Sequence, residues 1–209
     1  MPFKTDGSRE YRSFMDVSAV AGEDARAAYE VEGYATTFDK PYEFARDMDG
    51  NVVYERVDPH ALDGADMSDV IFQLNHDGPV MARLRNGSLE LTRDDHGLRV
   101  RARLGGSKYG RDLYESIGNG LIDRMSWGFS VPRDGFSWDE ATRTSTIMRV
   151  SKVFDVSAVS LPADEDTEIH ARSYIDGVIE AERQELAQRE KRELDKQRLL
   201  LRLSLTKTL

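Results

Sequence analysis

Three residues of this chain have the side-chain types that acyl transfer through a serine requires. A serine hydroxyl is a poor nucleophile near neutral pH, so it needs a base within hydrogen-bond reach, and an imidazole titrates in the right range. The imidazole in turn needs a carboxylate that fixes its tautomer and stabilises its charged form. His76, Ser126 and Asp155 could supply these three roles, in an order along the chain that differs from the common serine proteases.

Two of these residues interrupt predicted strands. Asp155 lies in the apolar segment Lys152–Leu161, where it needs a hydrogen-bonding partner, a cleft or a solvent-exposed strand face. In Met125–Val131, large apolar residues alternate with Ser and Gly, so Ser126 shares a face with Gly128. That face has room for another chain to approach, but a face without bulky residues is also typical of a solvent-exposed surface.

The third residue, His76, closes the predicted strand Val70–His76 and shares the parity of its apolar side chains. Such a histidine is often a satisfied core or rim residue, although the following Gly-Pro pair would also allow a position at the edge of a cleft. No two histidines have metal-ligand spacing, cysteine is absent, and no glycine loop has the lysine and spacing of a phosphate site. We therefore expect no metal and no cofactor.

Composition narrows the class of protein. The 209 residues carry a net charge of -9, which disfavours a nucleic-acid-binding module. No run approaches the roughly 20 apolar residues that a spanning helix needs, and the first residues lack the apolar segment of a secretion signal. With 39% hydrophobic residues the chain can bury a core, and the absence of cysteine fits a reducing cytoplasm. We expect no membrane and no nucleic-acid partner.

Most of the chain reads as β-strand. Besides the three segments above, alternation and turn residues predict strands over Val31–Phe38, Val52–Val57, Ser88–Thr92, Leu98–Leu104 and Thr146–Val150. One short helix is predicted over Asp112–Ile122, and Asp77-Gly78-Pro79 is predicted to be a turn. Many strands with few helices predict a mainly β fold with some α (α+β), a closed or nearly closed β-barrel ringed by helices.

The composition changes near Ser173. Nearly all glycines and every proline precede it, whereas Glu, Arg, Gln, Lys and Leu dominate after it. These strong helix formers predict a charged helical C-terminal tail over 173–209, next to a domain over 1–172. The tail is either a solvated helix or an appendage that contacts a partner and can be removed.

Several short blocks, in order, resemble one known family, the prohead (capsid maturation) serine proteases of tailed phages of the HK97 type. The resemblance covers about Val31 to Ala171. The blocks are Glu32-Gly33-Tyr34-Ala35 with Phe38-Asp39, Leu74-Asn75-His76-Asp77, Ala82-Arg83-Leu84, Gly87-Ser88-Leu89-Glu90-Leu91, Asp95 with Gly97-Leu98, Asp112-Leu113-Tyr114, Ile117 with Gly120, Ile122-Asp123, Met125-Ser126-Trp127-Gly128-Phe129, and Phe154-Asp155-Val156-Ser157-Ala158-Val159 with Pro162-Ala163.

The resemblance implies a protease domain over 1–172 with a fold similar to the herpesvirus assembly protease. It implies that His76 is the general base and Ser126 the nucleophile. It implies that Asp155 is the third member, at a position where many relatives have Glu and herpesvirus relatives use a second histidine. It also implies an oxyanion hole from main-chain N–H groups near Ala163–Asp164.

The implied function is a serine endopeptidase that acts during phage procapsid maturation, inside the procapsid in the host cytoplasm. Its implied substrates and partners are the scaffold segment of the major capsid protein or a separate scaffolding protein, and the protease itself through autocleavage. The charged tail would dock the enzyme to scaffold and then be cut away, and homo-oligomer formation stays open. The alternative is a catalytically silent internal scaffold or assembly protein that uses the helical tail to oligomerise.

Overall fold

The computed structural model describes residues 9–15, 17–20, 29–47 and 49–160, together with positions 184, 187–189, 191–193 and 196. Of these, the residues between 9 and 160 form thirteen strands, one α-helix and one short 3-10 helix, Leu84–Asn86, and the scattered positions beyond them are helical. The strands and helix are β1 (Glu10–Met15), β2 (Val17–Val20), β3 (Glu30–Thr37), β4 (Tyr42–Arg46), β5 (Val52–Val57), β6 (Ile71–Leu74), β7 (Asp77–Arg83), β8 (Leu89–Arg93), β9 (Gly97–Arg103), α1 (Lys108–Gly118), β10 (Arg124–Ser130), β11 (Phe136–Asp139), β12 (Thr144–Ile147) and β13 (Lys152–Val159).

The strands form three open sheets. A five-stranded sheet has the order β1-β10-β13-β6-β7, and two four-stranded sheets have the orders β11-β12-β5-β4 and β2-β3-β9-β8. In the five-stranded sheet, β10 is antiparallel to both β1 and β13, β13 is parallel to β6, and β6 and β7 form an antiparallel hairpin.

Period-two alternation separates the two faces of the five-stranded sheet. One face is apolar and fully buried. Its side chains, which neighbour one another across β10, β13 and β6, belong to one hydrophobic core. On this face Trp127 and Phe129 stack with ring centroids 4.0 Å apart. Its central side chains, each 0% exposed, are Met125, Trp127, Phe129, Val156, Ala158 and Phe72. The opposite face of β10 and β13 therefore has to carry the polar residues of these strands.

The predicted closed or nearly closed barrel ringed by helices is wrong. The described strands lie in three separate open sheets, and α1 is the single α-helix among the described residues between 9 and 160. Alternation in a sequence shows which side chains share a face, but barrel closure depends on which strands are neighbours and on their stagger, which alternation does not encode. The mostly β content was predicted correctly.

The predicted C-terminal helix over 173–209 lies outside the described residues, apart from the scattered positions between 184 and 196. Those positions are helical, but no long tail helix is among the elements that the structure describes, so the prediction of a long tail helix is wrong. No helix of the described part of the chain is long and apolar enough to cross a membrane.

Several predicted boundaries are shifted, and two of these shifts have a clear physical reason. The helix begins at Lys108, four residues before the predicted start, because Ser107 caps it: its hydroxyl accepts a hydrogen bond from the main-chain N–H of Gly110. The predicted turn at Gly78-Pro79 lies within β7. A proline is tolerated there because β7 is an edge strand, where its missing N–H breaks no ladder.

A buried charge cluster joins β1 to β5. Arg12 is 6% exposed and Glu55 1% exposed, and the guanidinium donates to both carboxylate oxygens, at 2.5 Å from Nε and 2.9 Å from Nη2. The Tyr42 hydroxyl also donates to Glu55, and Arg12 Nη2 lies 2.9 Å from Glu10. Burial alone would lower the pKa of Arg12, but the two carboxylates more than offset this and the pKa is raised. The cluster fixes β1 against a strand of a second sheet.

Replacing Glu55 by Gln is expected to lower the free energy of unfolding by about 3 kcal/mol, because it leaves the buried Arg12 guanidinium without its bidentate counter-charge. Urea denaturation measures this change. Glu43→Gln, on the exposed part of the neighbouring strand β4, is the matched control and should change stability by less than about 0.5 kcal/mol. Equal stabilities of the two variants would contradict the role given to the cluster.

Candidate active site

The tight turn between β6 and β7 carries His76. Leu74 pairs with Asp77, and the two residues between them, Asn75 and His76, have φ angles of 51° and 58°. This is the pattern of a two-residue type I′ hairpin, which favours Asn first and Gly second. A histidine at the second position is held in a sparsely populated conformation, as is common where geometry serves a site. His76 therefore lies on a turn, not at the end of a strand as predicted.

Hydrogen bonds from and to three neighbouring segments anchor this turn. The main-chain N–H of Asn75 donates to the Ala158 carbonyl at 2.9 Å, and its side-chain oxygen accepts from the N–H of Ser160 at 3.0 Å. Below the turn, the Gln73 amide donates to the Gly78 carbonyl at 2.9 Å. The imidazole thus projects from a hairpin that is hydrogen-bonded to the end of β13, so the main chain of His76 is held in place.

The polar face of the central strands carries the other two residues. Ser126 pairs with Ser157 and Gly128 with Asp155 across β10 and β13. Because directly opposite residues in a sheet place their side chains on the same face, these four positions form one patch. Ser126 and Asp155 are both 0% exposed, so neither lies on a solvent-exposed strand face.

The structure brings the three predicted residues into one hydrogen-bonded relay. Nε2 of His76 lies 2.7 Å from Ser126 Oγ, and Nδ1 lies 2.5 Å from Asp155 Oδ2. A carboxylate can only accept, so Nδ1 carries the proton and Nε2 of the neutral imidazole is free to accept the Ser126 hydroxyl. The imidazole side chain is 15% exposed, which leaves the relay open to solvent at the histidine.

Two further side chains hold the Asp155 carboxylate. The Ser157 hydroxyl donates to Oδ2 at 2.8 Å, and the Arg9 guanidinium contacts Oδ1. A Cβ on Gly128 would clash with both the carboxylate and the guanidinium. The space predicted beside Gly128 is therefore filled by this ion pair rather than left open for another chain.

Burial and the guanidinium of Arg9 lower the pKa of His76 from its ordinary value of 6.5 to about 4. The ring of Tyr11 lies 4.2 Å from the imidazole, centroid to centroid, and covers one side of it. The imidazole is consequently neutral at physiological pH and able to accept a proton.

Sequence reasoning missed Arg9 and Tyr11. Both precede or lie in β1, for which no strand was predicted. A weak signal existed in the alternation of Tyr11 and Ser13 with Arg12, but nothing in it identifies a carboxylate 146 residues away as the partner of Arg9. The expected oxyanion-hole residues near Ala163–Asp164 lie outside the described residues.

A cavity of about 420 Å³ borders the turn that carries His76, since Asn75 and Asp77 both line it. It lies between the β6–β7 hairpin and α1, and Met81 and Leu113 contribute apolar walls. Among the described residues, no group of three or more His, Asp or Glu side chains is arranged to hold a metal ion.

Comparison with known proteins gives one family. Residues 15–179 match the family described as caudovirus prohead serine protease. The chain is 28% identical over 149 residues to the prohead protease of Enterobacteria phage HK97, an alignment that covers 70% of this chain and 61% of that protein. The chain thus spans less than two thirds of that relative's length, and no solved structure matches it. Because the family match takes in most of the chain and confirms the resemblance found in its motifs, the chain belongs to the caudovirus prohead serine protease family.

Proposed function

We propose that this chain is a serine endopeptidase that cleaves the scaffold segment of a capsid protein, or a separate scaffolding protein, and itself, during procapsid maturation. The observation that supports it best is the continuous relay from Ser126 through His76 to Asp155. The family match supports the setting, a phage prohead. A catalytically silent assembly protein would have no need for a strained turn that aims an imidazole at a buried serine.

In the proposed mechanism, Ser126 Oγ attacks the carbonyl carbon of the scissile peptide bond. The hydroxyl proton moves to Nε2 of His76 as the new C–O bond forms. The imidazolium then gives this proton to the leaving amine as the C–N bond breaks, which leaves an acyl ester on Ser126. Water, deprotonated by the same nitrogen, hydrolyses the ester and restores the serine.

Asp155 supports both proton transfers without changing its own protonation. Its Oδ2 accepts from Nδ1 of His76, which fixes the tautomer and favours the imidazolium when it forms. The Ser157 hydroxyl holds the same oxygen in place. The Asp155 side chain reaches the imidazole because His76 approaches from a turn fastened to β13.

The proposed substrates need an open approach to the relay. The imidazole of His76 is 15% exposed, but Ser126 is fully buried, so a substrate carbonyl reaches its hydroxyl only after the side chains that cover it move aside. The cavity beside the β6–β7 hairpin is large enough for a substrate side chain. A capsid scaffold segment presented inside a procapsid would have to approach the relay as an extended chain. Self-cleavage requires a second copy of the chain to present its own segment in the same way.

Ser126→Ala is expected to abolish processing of the capsid protein, with a loss of about 10⁴-fold or more in rate, because it removes the nucleophile. Mass spectrometry of the capsid protein co-expressed with the wild type or the variant measures the loss and reports the cut site. Ser130→Ala, on the same strand but outside the relay, is the matched control and should process normally. Processing by Ser126→Ala at a near-normal rate would show that the nucleophile is another residue.

The activity should persist to unusually acidic pH. The base must be neutral to accept a proton, and the lowered pKa of His76 keeps it neutral down to about pH 4. The acid limb of kcat/KM, measured on a peptide spanning the cut site, should therefore fall near pH 4 and not near the ordinary histidine value of 6.5. An acid limb at the ordinary value would mean that the environment of His76 in solution differs from that described above.

A further inference from the structure

Arg9 contacts Oδ1 of Asp155, the carboxylate oxygen that the relay does not use. His76 and Ser157 both contact Oδ2, whereas the guanidinium of Arg9 contacts Oδ1. The carboxylate is 0% exposed, so each of its oxygens needs a donor from the protein. Arg9, which is 33% exposed at its side chain, supplies the only positive charge that contacts this carboxylate among the described residues.

The position of the guanidinium is built by its neighbours. It lies 5.0 Å from the ring centroid of Phe154 and 5.4 Å from that of Tyr11, both within the range of cation–π attraction. The absence of a side chain at Gly128 leaves the space into which it fits. Aromatic rings on two strands and a glycine on a third thus define one place for the cation.

We propose that Arg9 is a positioning residue of this site: its guanidinium holds Oδ1 of Asp155, so that Oδ2 stays aimed at Nδ1 of His76. Its importance for catalysis rests on the proposed function, since the aim of Oδ2 affects a rate only if His76 is the base. Arg9 and Tyr11 precede residues 15–179, the part of the chain that matches the family.

The charge of Arg9 also acts on the imidazole. The groups that face His76 are Asp155 on β13, Ser126 on β10, and Tyr11 and Arg9 on or before β1, while Asp77 follows it on its own hairpin. A nearby cation disfavours the imidazolium, and a nearby carboxylate favours it. Removing the cation leaves the carboxylate unopposed, so the pKa of His76 should rise.

NMR titration of the His76 ring nitrogens in the free, full-length protein tests the proposal, with the signal assigned by its loss in His76→Ala. The wild type should titrate near pH 4, and Arg9→Gln should titrate at least about one pH unit higher. Arg9→Lys, which keeps the charge, should stay close to the wild type. Arg46→Gln, a surface change of the same charge in another sheet, should have no effect.

Kinetics provide the second measurement. If Arg9→Gln raises the pKa of His76, the acid limb of its kcat/KM should move to higher pH by the same amount as its NMR titration, whereas the acid limb of the wild type should fall near pH 4. Identical His76 titrations of wild type and Arg9→Gln, or a lysine variant that titrates like the glutamine variant, would overturn the proposal. The titration needs no substrate, so a wild type that cleaves nothing would refute the proposed function and leave the test of Arg9 intact.

Discussion

A carboxylate can stay buried only when donors surround it, and the site is arranged around that requirement at Asp155. This side chain lies in the middle of β13 with no exposed surface. Its two oxygens receive an imidazole N–H, a hydroxyl and a guanidinium, from a turn, its own strand and the N-terminal segment. Gly128 on the neighbouring strand leaves the room that this ion pair occupies. Each donor thereby becomes fixed in place, including the one that faces the serine.

The strands and the turn that carry the three relay residues are each held in place by neighbouring structure. Ser126 and Asp155 lie on adjacent central strands whose other face is packed into the core, so their separation is set by the sheet itself. His76 arrives from a two-residue turn with both φ angles positive, and hydrogen bonds to the end of β13 hold that turn. The buried pair of Arg12 with Glu55 holds β1, and with it the segment that carries Arg9, against a second sheet. Hydrogen bonds to the end of β13 thus offset the unfavourable φ angles of the turn, and the pairing of Arg12 with Glu55 offsets the cost of burying charge at β1.

The three residues of the relay could be predicted from the sequence, but their spatial arrangement could not. The alternation in Met125–Val131 correctly separates Ser126 from the apolar face, and the lone carboxylate in β13 correctly indicates a need for partners. The turn was misplaced because Asn-His replaces the Asn-Gly that usually marks a type I′ hairpin. The contribution of Arg9 could not be predicted, because a contact across 146 residues depends on strand order, which alternation does not encode. Barrel closure was predicted wrongly for the same reason.

Activation of Ser126 by His76 is measured by labelling with a fluorophosphonate followed by peptide mass spectrometry. We expect a phosphonyl adduct on Ser126 in the wild type and its loss in His76→Ala, although Ser126 is still present in that variant. An adduct on a different serine, or equal labelling of Ser126 without the imidazole, would contradict it.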